Sequence, residues 1–292
     1  MVVRKLLRYK KLLIVIALVA IVLIKHCLHL YPDKTTPNGK EDPNYSDKPR
    51  LAVIVPFRDR FDELIIFVPY MSRFLGEQDI GPFKIFVINQ SSKYRFNRGS
   101  LINVGYLLAK NQSDYIAMHD VDLIPVNKNL TYSFPANGPI HLSSPEYHPK
   151  YNYSKYIGGI LLISNEHFEQ VNGMSNKYYG WGLEDDEFYT RLKSAKIAIS
   201  RPTGLQTNRT NTFLHFHYDR RRDTFKTKEQ RYSLRMRDRV TGVSDVRFQV
   251  TSRHQFVIDG HDCSVYNIEL HCDTSMTPWC MKSYARKSTA TP

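Results

Sequence analysis

Leu51-Ala-Val-Ile-Val-Pro56 is an unbroken apolar run that starts directly after a polar, proline-rich stretch. A strand that alternates apolar and polar residues can lie on a wet surface, but an unbroken one must be covered on both faces. That demands a parallel sheet with helices on two sides. The chain continues in the matching rhythm. Phe61 to Leu75 has helical spacing, Lys84 to Asn89 is a second strand, Gly99 to Ala109 a second helix, and Tyr115 to His119 a third strand. This βαβαβ order predicts an α/β fold with a Rossmann-like half. Further on, Ile157 to Ile163 reads as a buried strand, Asp185 to Ser194 as a helix, and Thr227 to Val240 as a basic helix. Arg247 to Val250 and Ser264 to His271 read as later strands. The 292 residues suffice for one large domain or two small ones with a full core.

The N-terminus carries a different signal. Arg4, Lys5, Arg8, Lys10 and Lys11 precede an apolar run from Leu12 to Ile24, extended by Leu28 and Leu30. Lys25-His26-Cys27 is a poor signal-peptidase site, so 12–30 is expected to be a signal anchor, with 1–11 cytosolic and the remainder lumenal. Residues 31–49 read as a stem linker, 50–281 as the globular domain, and 282–292 as a basic tail. Sequons at Asn44, Asn89, Asn111, Asn129, Asn152 and Asn208 agree with a lumenal body. In an oxidising lumen Cys272 and Cys280 are expected to be bridged across a short loop. Cys263 is then either buried and free or displaces one of the pair. Part of the formal charge of +13 is this N-terminal flank.

Three clusters carry chemistry. Asp120-Val121-Asp122 follows the third strand, where open α/β sheets bind ligands, and its two acids suit a divalent metal or ribose hydroxyls. In His215-Phe216-His217, an extended segment would put both imidazoles on one face. With Asp122 they make a set that Mn²⁺ accepts, as does zinc. Trp181-Gly182-Leu183-Glu184-Asp185-Asp186-Glu187-Phe188 joins an indole face, which stacks sugars, to carboxylates able to take a hydroxyl proton. Its plainer reading is an acidic helix start. Arg58 and Arg60, in Pro56-Phe57-Arg58-Asp59-Arg60, are placed to hold phosphate, and Asp59 a base or ribose. Phe96-Asn97-Arg98-Gly99 opens the second helix as an anion site or an ordinary cap. Arg220, Arg221 and Arg222 fit a clamp on a diphosphate beside the histidines.

With these segments assembled, the chain resembles the β-1,4-galactosyltransferase family, and within it the xylose-accepting branch. The matching pieces are Val55 to Arg60, Phe96 to Arg98, His119 to Pro125, Tyr156 to Ile160, Asn172 to Asn176, Trp181 to Tyr189, His215 to His217 and Cys272 to Cys280. The resemblance implies a GT-A fold with a mixed sheet, UDP-galactose as donor, Mn²⁺ as cofactor and xylosylated proteoglycan core protein as acceptor, in an enzyme of the Golgi membrane. It implies Asp185 as catalytic base and Asp122, His215 and His217 as metal ligands. Pro56, Phe57, Arg58, Asp59, Arg60, Phe96, Asn97, Arg98, Val121, Asp122, Tyr151, Trp181 and Arg222 fall in the donor site. Tyr153, Trp181, Leu183, Glu184, Asp185 and Asp186 fall in the acceptor site.

Other classes are open to the residues alone. A glycan-binding protein of the same fold would need no intact acid and histidine sets. A metal-dependent hydrolase would need no sugar acceptor. A nucleic-acid binder would carry a recognised binding motif, and none is present. An N-acetylglucosamine acceptor would keep the family and change the branch.

Overall fold

The computed structural model describes residues 47–216 and 222–282. The tail 1–11, the anchor 12–30, most of the stem 31–49, His217, Arg220, Arg221 and all but the first residue of the tail 282–292 lie outside the described residues. Among the described residues no helix is long and apolar enough to cross a membrane.

The first strand, β1 (Leu51–Phe57), is buried along its whole length. It is flanked in parallel by β2 (Phe83–Gln90) on one side and β3 (Tyr115–His119) on the other. Its residues alternate between two cores, as the unbroken apolar run requires. Leu51, Val53 and Val55 pack against Leu64, Phe67 and Met71 of α1 (Phe61–Gly76). Ala52 and Ile54 face Leu101, Ile102 and Val104 of α2 (Arg98–Ala109). Gly105 lets α2 approach closely, since a Cβ there would collide with Ile54 and come within 3.0 Å of Ile88.

Beyond β3 the chain forms β4 (Leu123–Pro125), β5 (Ile140–His141) and β6 (Ile160–Ser164), then α3 (Asn165–Gln170) and α4 (Glu184–Ser194). Next come β7 (Phe213–His215), α5 (Lys228–Arg235), β8 (Phe248–Ile258) and β9 (His261–Leu270). The main sheet has seven strands in the order β5-β6-β3-β1-β2-β9-β8. It is parallel through β3, β1, β2 and β9, with β6 and β8 antiparallel to their neighbours. β4 and β7 form a separate antiparallel pair in which Leu123 faces His215.

Several expectations shift. The predicted strand 247–250 is the start of a hairpin that runs to Ile258 and turns at Asp259-Gly260. Both turn residues have positive φ, at 50° and 78°, the conformation an Asp-Gly turn favours. The predicted helix 227–240 ends at Arg235, because Arg237 adopts φ 55° and the chain turns away. Cys272 and Cys280 are bridged, and Cys263 is a buried free thiol. Asn89 lies inside β2 with its amide donating to Asn267 at 2.8 Å, which removes that sequon from the exposed set.

Candidate functional site

The carboxyl ends of β1 and β3 open into a cleft of about 650 Å³. Each wall has a local cause. On the first, Asp120 and Asp122 follow β3, and the β4–β7 pairing draws His215 beside them. Asp122 Oδ2 lies 3.9 Å from His215 Nε2 and 3.9 Å from an Arg60 nitrogen, while the Asp122 carbonyl accepts from the Phe216 amide at 2.9 Å. A carboxylate oxygen and an imidazole nitrogen facing one another fit a divalent cation of intermediate hardness such as Mn²⁺. Among the described residues no third His, Cys, Asp or Glu completes a metal-sized cluster with them, and the remaining expected donor is His217.

The second wall is the start of α4. Leu183, its N-cap, holds φ 81°, a left-handed conformation costly for a leucine. The four consecutive acids then diverge. Glu184, Asp185 and Asp186 line the cleft, whereas Glu187 turns inward to a buried ion pair with Arg191 at 2.8 Å. Glu184 is buried, and its Oε2 has no hydrogen-bond partner among the described residues. Asp185 Oδ1 accepts from Arg98 at 2.9 Å, and the same guanidinium reaches Asp120 at 2.8 Å. One arginine at the start of α2 thus spans the metal-side and helix-side acids. Burial pushes the Asp185 carboxyl up to about 7; Arg98 opposes this, and the neighbouring Glu184 and Asp120 carboxylates add to it. Glu184 is also raised, again chiefly by burial.

Gly158 sets the position of Asp185 from behind. A Cβ at Gly158 would strike Asp185 Oδ2 and approach the Tyr156 ring to 2.8 Å. Gly158→Ala is therefore expected to displace the carboxylate and lower kcat by about 100-fold, the scale of an ångström-sized misplacement. A thermal melt close to that of the wild type would show that the fold survives. An unchanged kcat would mean that this carboxylate position does not matter.

The third wall is aromatic. Tyr151, Tyr153, Tyr156 and Trp181 surround the opening, and Trp181 remains 43% exposed, a free face for a sugar ring. Arg222 stacks 4.9 Å from the Trp181 ring and donates to the Tyr151 hydroxyl. Lys226 donates to the Trp181 carbonyl at 2.5 Å.

Most expected site residues therefore converge: Pro56, Arg58, Asp59, Arg60, Phe96, Arg98, Val121, Asp122, Tyr151, Tyr153, Trp181, Leu183, Glu184, Asp185, Asp186, His215 and Arg222 all line the cleft. Two do not. Phe57 is packed into the core, and the fully buried Asn97 caps α2, accepting from Ser100 N at 2.9 Å. Arg58 is present but committed, because it donates to the carbonyls of Gln90, Ser92 and Tyr94 at 2.8 to 3.2 Å. Those bonds brace the loop after β2 and fix the guanidinium at the cleft wall. Sequence reasoning missed His148, whose Nδ1 accepts from the amides of Lys150 and Tyr151 and so sets Tyr151. It also missed Lys226 and Arg95. Arg95 is 1% exposed and ties Asp223, Gln230 and the Trp279 carbonyl together. No spacing marks Lys226 or Arg95, since their partners are distant in sequence, and His148 bonds only its own turn.

Two family models match the chain: the N-terminal region of glycosyl transferase group 7 over residues 24–135, and the N-terminal domain of galactosyltransferase over 138–217. Over 234 residues the chain is 50% identical to β-1,4-galactosyltransferase 7 of Drosophila melanogaster, covering 79% of this chain and 72% of that protein. It is 47% identical over 237 residues to xylosylprotein 4-beta-galactosyltransferase of Caenorhabditis elegans, covering 79% and 82%. A crystal structure of a mutant of the Drosophila enzyme in complex with manganese, UDP-Gal and xylobiose superposes with a TM-score of 0.78 at 48% identity. It covers 80% of this chain and 99% of that one.

Proposed function

We propose that this chain, which belongs to the β-1,4-galactosyltransferase family, transfers galactose from UDP-galactose to the 4-hydroxyl of xylose on a proteoglycan core protein, the step that extends the glycosaminoglycan linker. Its fold is GT-A and its cofactor is Mn²⁺. The observation that carries the reading is the meeting, in one cleft, of the β3-end acids, His215 and the acidic start of α4.

Asp185 takes the proton from the xylose 4-hydroxyl. That oxygen attacks the anomeric carbon of galactose from the side opposite the leaving group, the carbon–phosphate-oxygen bond breaks, and UDP departs with the electron pair. Asp122, His215 and His217 hold the Mn²⁺, which supplies positive charge beside the diphosphate. Arg98 orients Asp185 against Asp120, and Glu184 adds negative charge beside them at the acceptor side of the cleft. Trp181, Tyr151 and Tyr153 bind sugar faces and exclude water, while Arg222 holds the Trp181 ring in place.

Because only ionised Asp185 accepts a proton, and its carboxyl is pushed up to about 7, kcat/KM should fall tenfold per pH unit below about pH 7 and level off above it. A profile flat down to pH 5 would remove Asp185 as the base.

Residues 12–30 form a signal anchor that holds the enzyme in the Golgi membrane as a single-pass type II protein, with the stem 31–49 leading to the lumenal domain 50–281 and the tail 282–292. The reaction is tested by offering the purified lumenal domain UDP-galactose with a β-xyloside and a β-N-acetylglucosaminide side by side. Transfer to the xyloside alone is expected. Transfer to the N-acetylglucosaminide would keep the family and reject the acceptor, and no transfer with UDP still bound would favour a binding protein.

A further inference from the structure

We propose that the outward face of α5 is a docking surface for an acidic stretch of the acceptor polypeptide adjoining its xylosylated residue; this rests on the acceptor reading of the cleft given above. Lys228, Arg231 and Arg235 are exposed there beside a single exposed acid, Glu229, and the three cations form no ion pair among the described residues; Arg239 is exposed just past the turn that ends the helix. Interleaved with them are Tyr232, 69% exposed, and Met236, 67% exposed, one helical turn apart, with Val240 just beyond. Large apolar side chains set among unpaired cations mark a surface that binds something carrying negative charge.

The face is fixed relative to the cleft. On its inner side Gln230 and Leu234 are buried, and Gln230 accepts from Arg95 at 3.1 Å and donates to the Tyr179 carbonyl at 2.9 Å. The Thr227 side chain caps the helix start, accepting from Gln230 N. Lys226, one residue before that cap, both lines the cleft and binds the Trp181 carbonyl. Arg231 is close enough to Lys226 to oppose its charge. A chain leaving the acceptor site past Trp181 therefore meets Lys226 and then α5. Eight helical residues span about 12 Å, the reach of about four residues of extended peptide.

Anionic lipid would answer the same charges. Continuity with the cleft mouth favours the polypeptide, because a membrane seated on α5 would cover the route by which a protein acceptor enters.

The test compares kcat/KM for three acceptors: a free β-xyloside, a xylosylated peptide with Asp and Glu beside the modified serine, and the same peptide with neutral neighbours. The wild type should prefer the acidic peptide over the neutral one by about tenfold at low ionic strength. That preference should vanish in about 0.5 M salt, where charges are screened beyond about 4 Å. The double variant Arg231→Glu, Arg235→Glu should lose the preference and turn over the free xyloside as the wild type does. No preference in the wild type, or one retained by the variant, overturns the proposal. So does an equal loss on all three acceptors, and so does a variant with its peptide preference intact that no longer binds phosphatidylserine vesicles. Failure of the wild type on the free xyloside is a failure of the functional reading instead.

Discussion

Asp185→Asn should lose about 10²- to 10⁴-fold in kcat, the usual contribution of a positioned general base, while UDP-galactose still binds. The amide has the shape of the carboxylate and keeps an oxygen for Arg98, whose Nη1 bond at 2.9 Å ties this side chain to the helix-side wall. It cannot take a proton. Arg98 would also retain its 2.8 Å bond to Asp120, so the cleft should not rearrange. The substitution also removes one charge from a crowded acidic cluster, in which the Glu184 and Asp120 carboxylates both push the Asp185 carboxyl up. The signature is a fall in kcat with little change in UDP-galactose affinity, read by steady-state kinetics and by calorimetry with UDP. A parallel loss of donor binding would mean that Asp185 holds the donor rather than accepting the proton.

Asp122→Asn should act on the other half of the reaction. Asp122 Oδ2 faces both His215 and Arg60 at 3.9 Å, so the substitution removes the anionic oxygen from the proposed metal site and leaves Arg60 beside a neutral amide. Loss of partners that merely support a ligand costs 10- to 100-fold in metal affinity, so loss of the ligand itself should cost at least about 100-fold. Mn²⁺-dependent UDP affinity and turnover should fall together. His215→Ala should follow the same pattern, whereas Gly158→Ala should not, because Gly158 touches only the Asp185 side of the cleft. Intact Mn²⁺-dependent UDP binding in Asp122→Asn would take Asp122 out of the metal site.

The parts of the fold that were legible are those buried on both faces. β1, β2, β3 and the two intervening helices follow directly from apolar runs and helical spacing, because a covered parallel strand has no room for polar residues. β4 and β7 were not legible, since each is three residues long and has no period to read. Yet their pairing is what brings His215 to Asp122. The hairpin β8–β9 was half seen. Its exposed first strand lacks an apolar face, and the informative signal was the Asp259-Gly260 pair at the turn.

The site divides the same way. Residues at strand ends and at the start of α4 declared themselves by chemical type and position. Residues that act by close approach did not. Gly158 is defined by what a Cβ would strike, Arg58 by three carbonyls more than thirty residues away, and Arg95 by partners on three separate segments. Glu187 looked like part of the acidic cluster, but the helical turn carries it into the core beside Arg191.

The most direct measurement is proton NMR of the product formed from UDP-galactose and a β-xyloside, with Mn²⁺ or with EDTA. A single galactose joined β1→4 to xylose is expected, formed with Mn²⁺ and absent with EDTA. An α-linked galactose, or free galactose and UDP released without an acceptor, would contradict it.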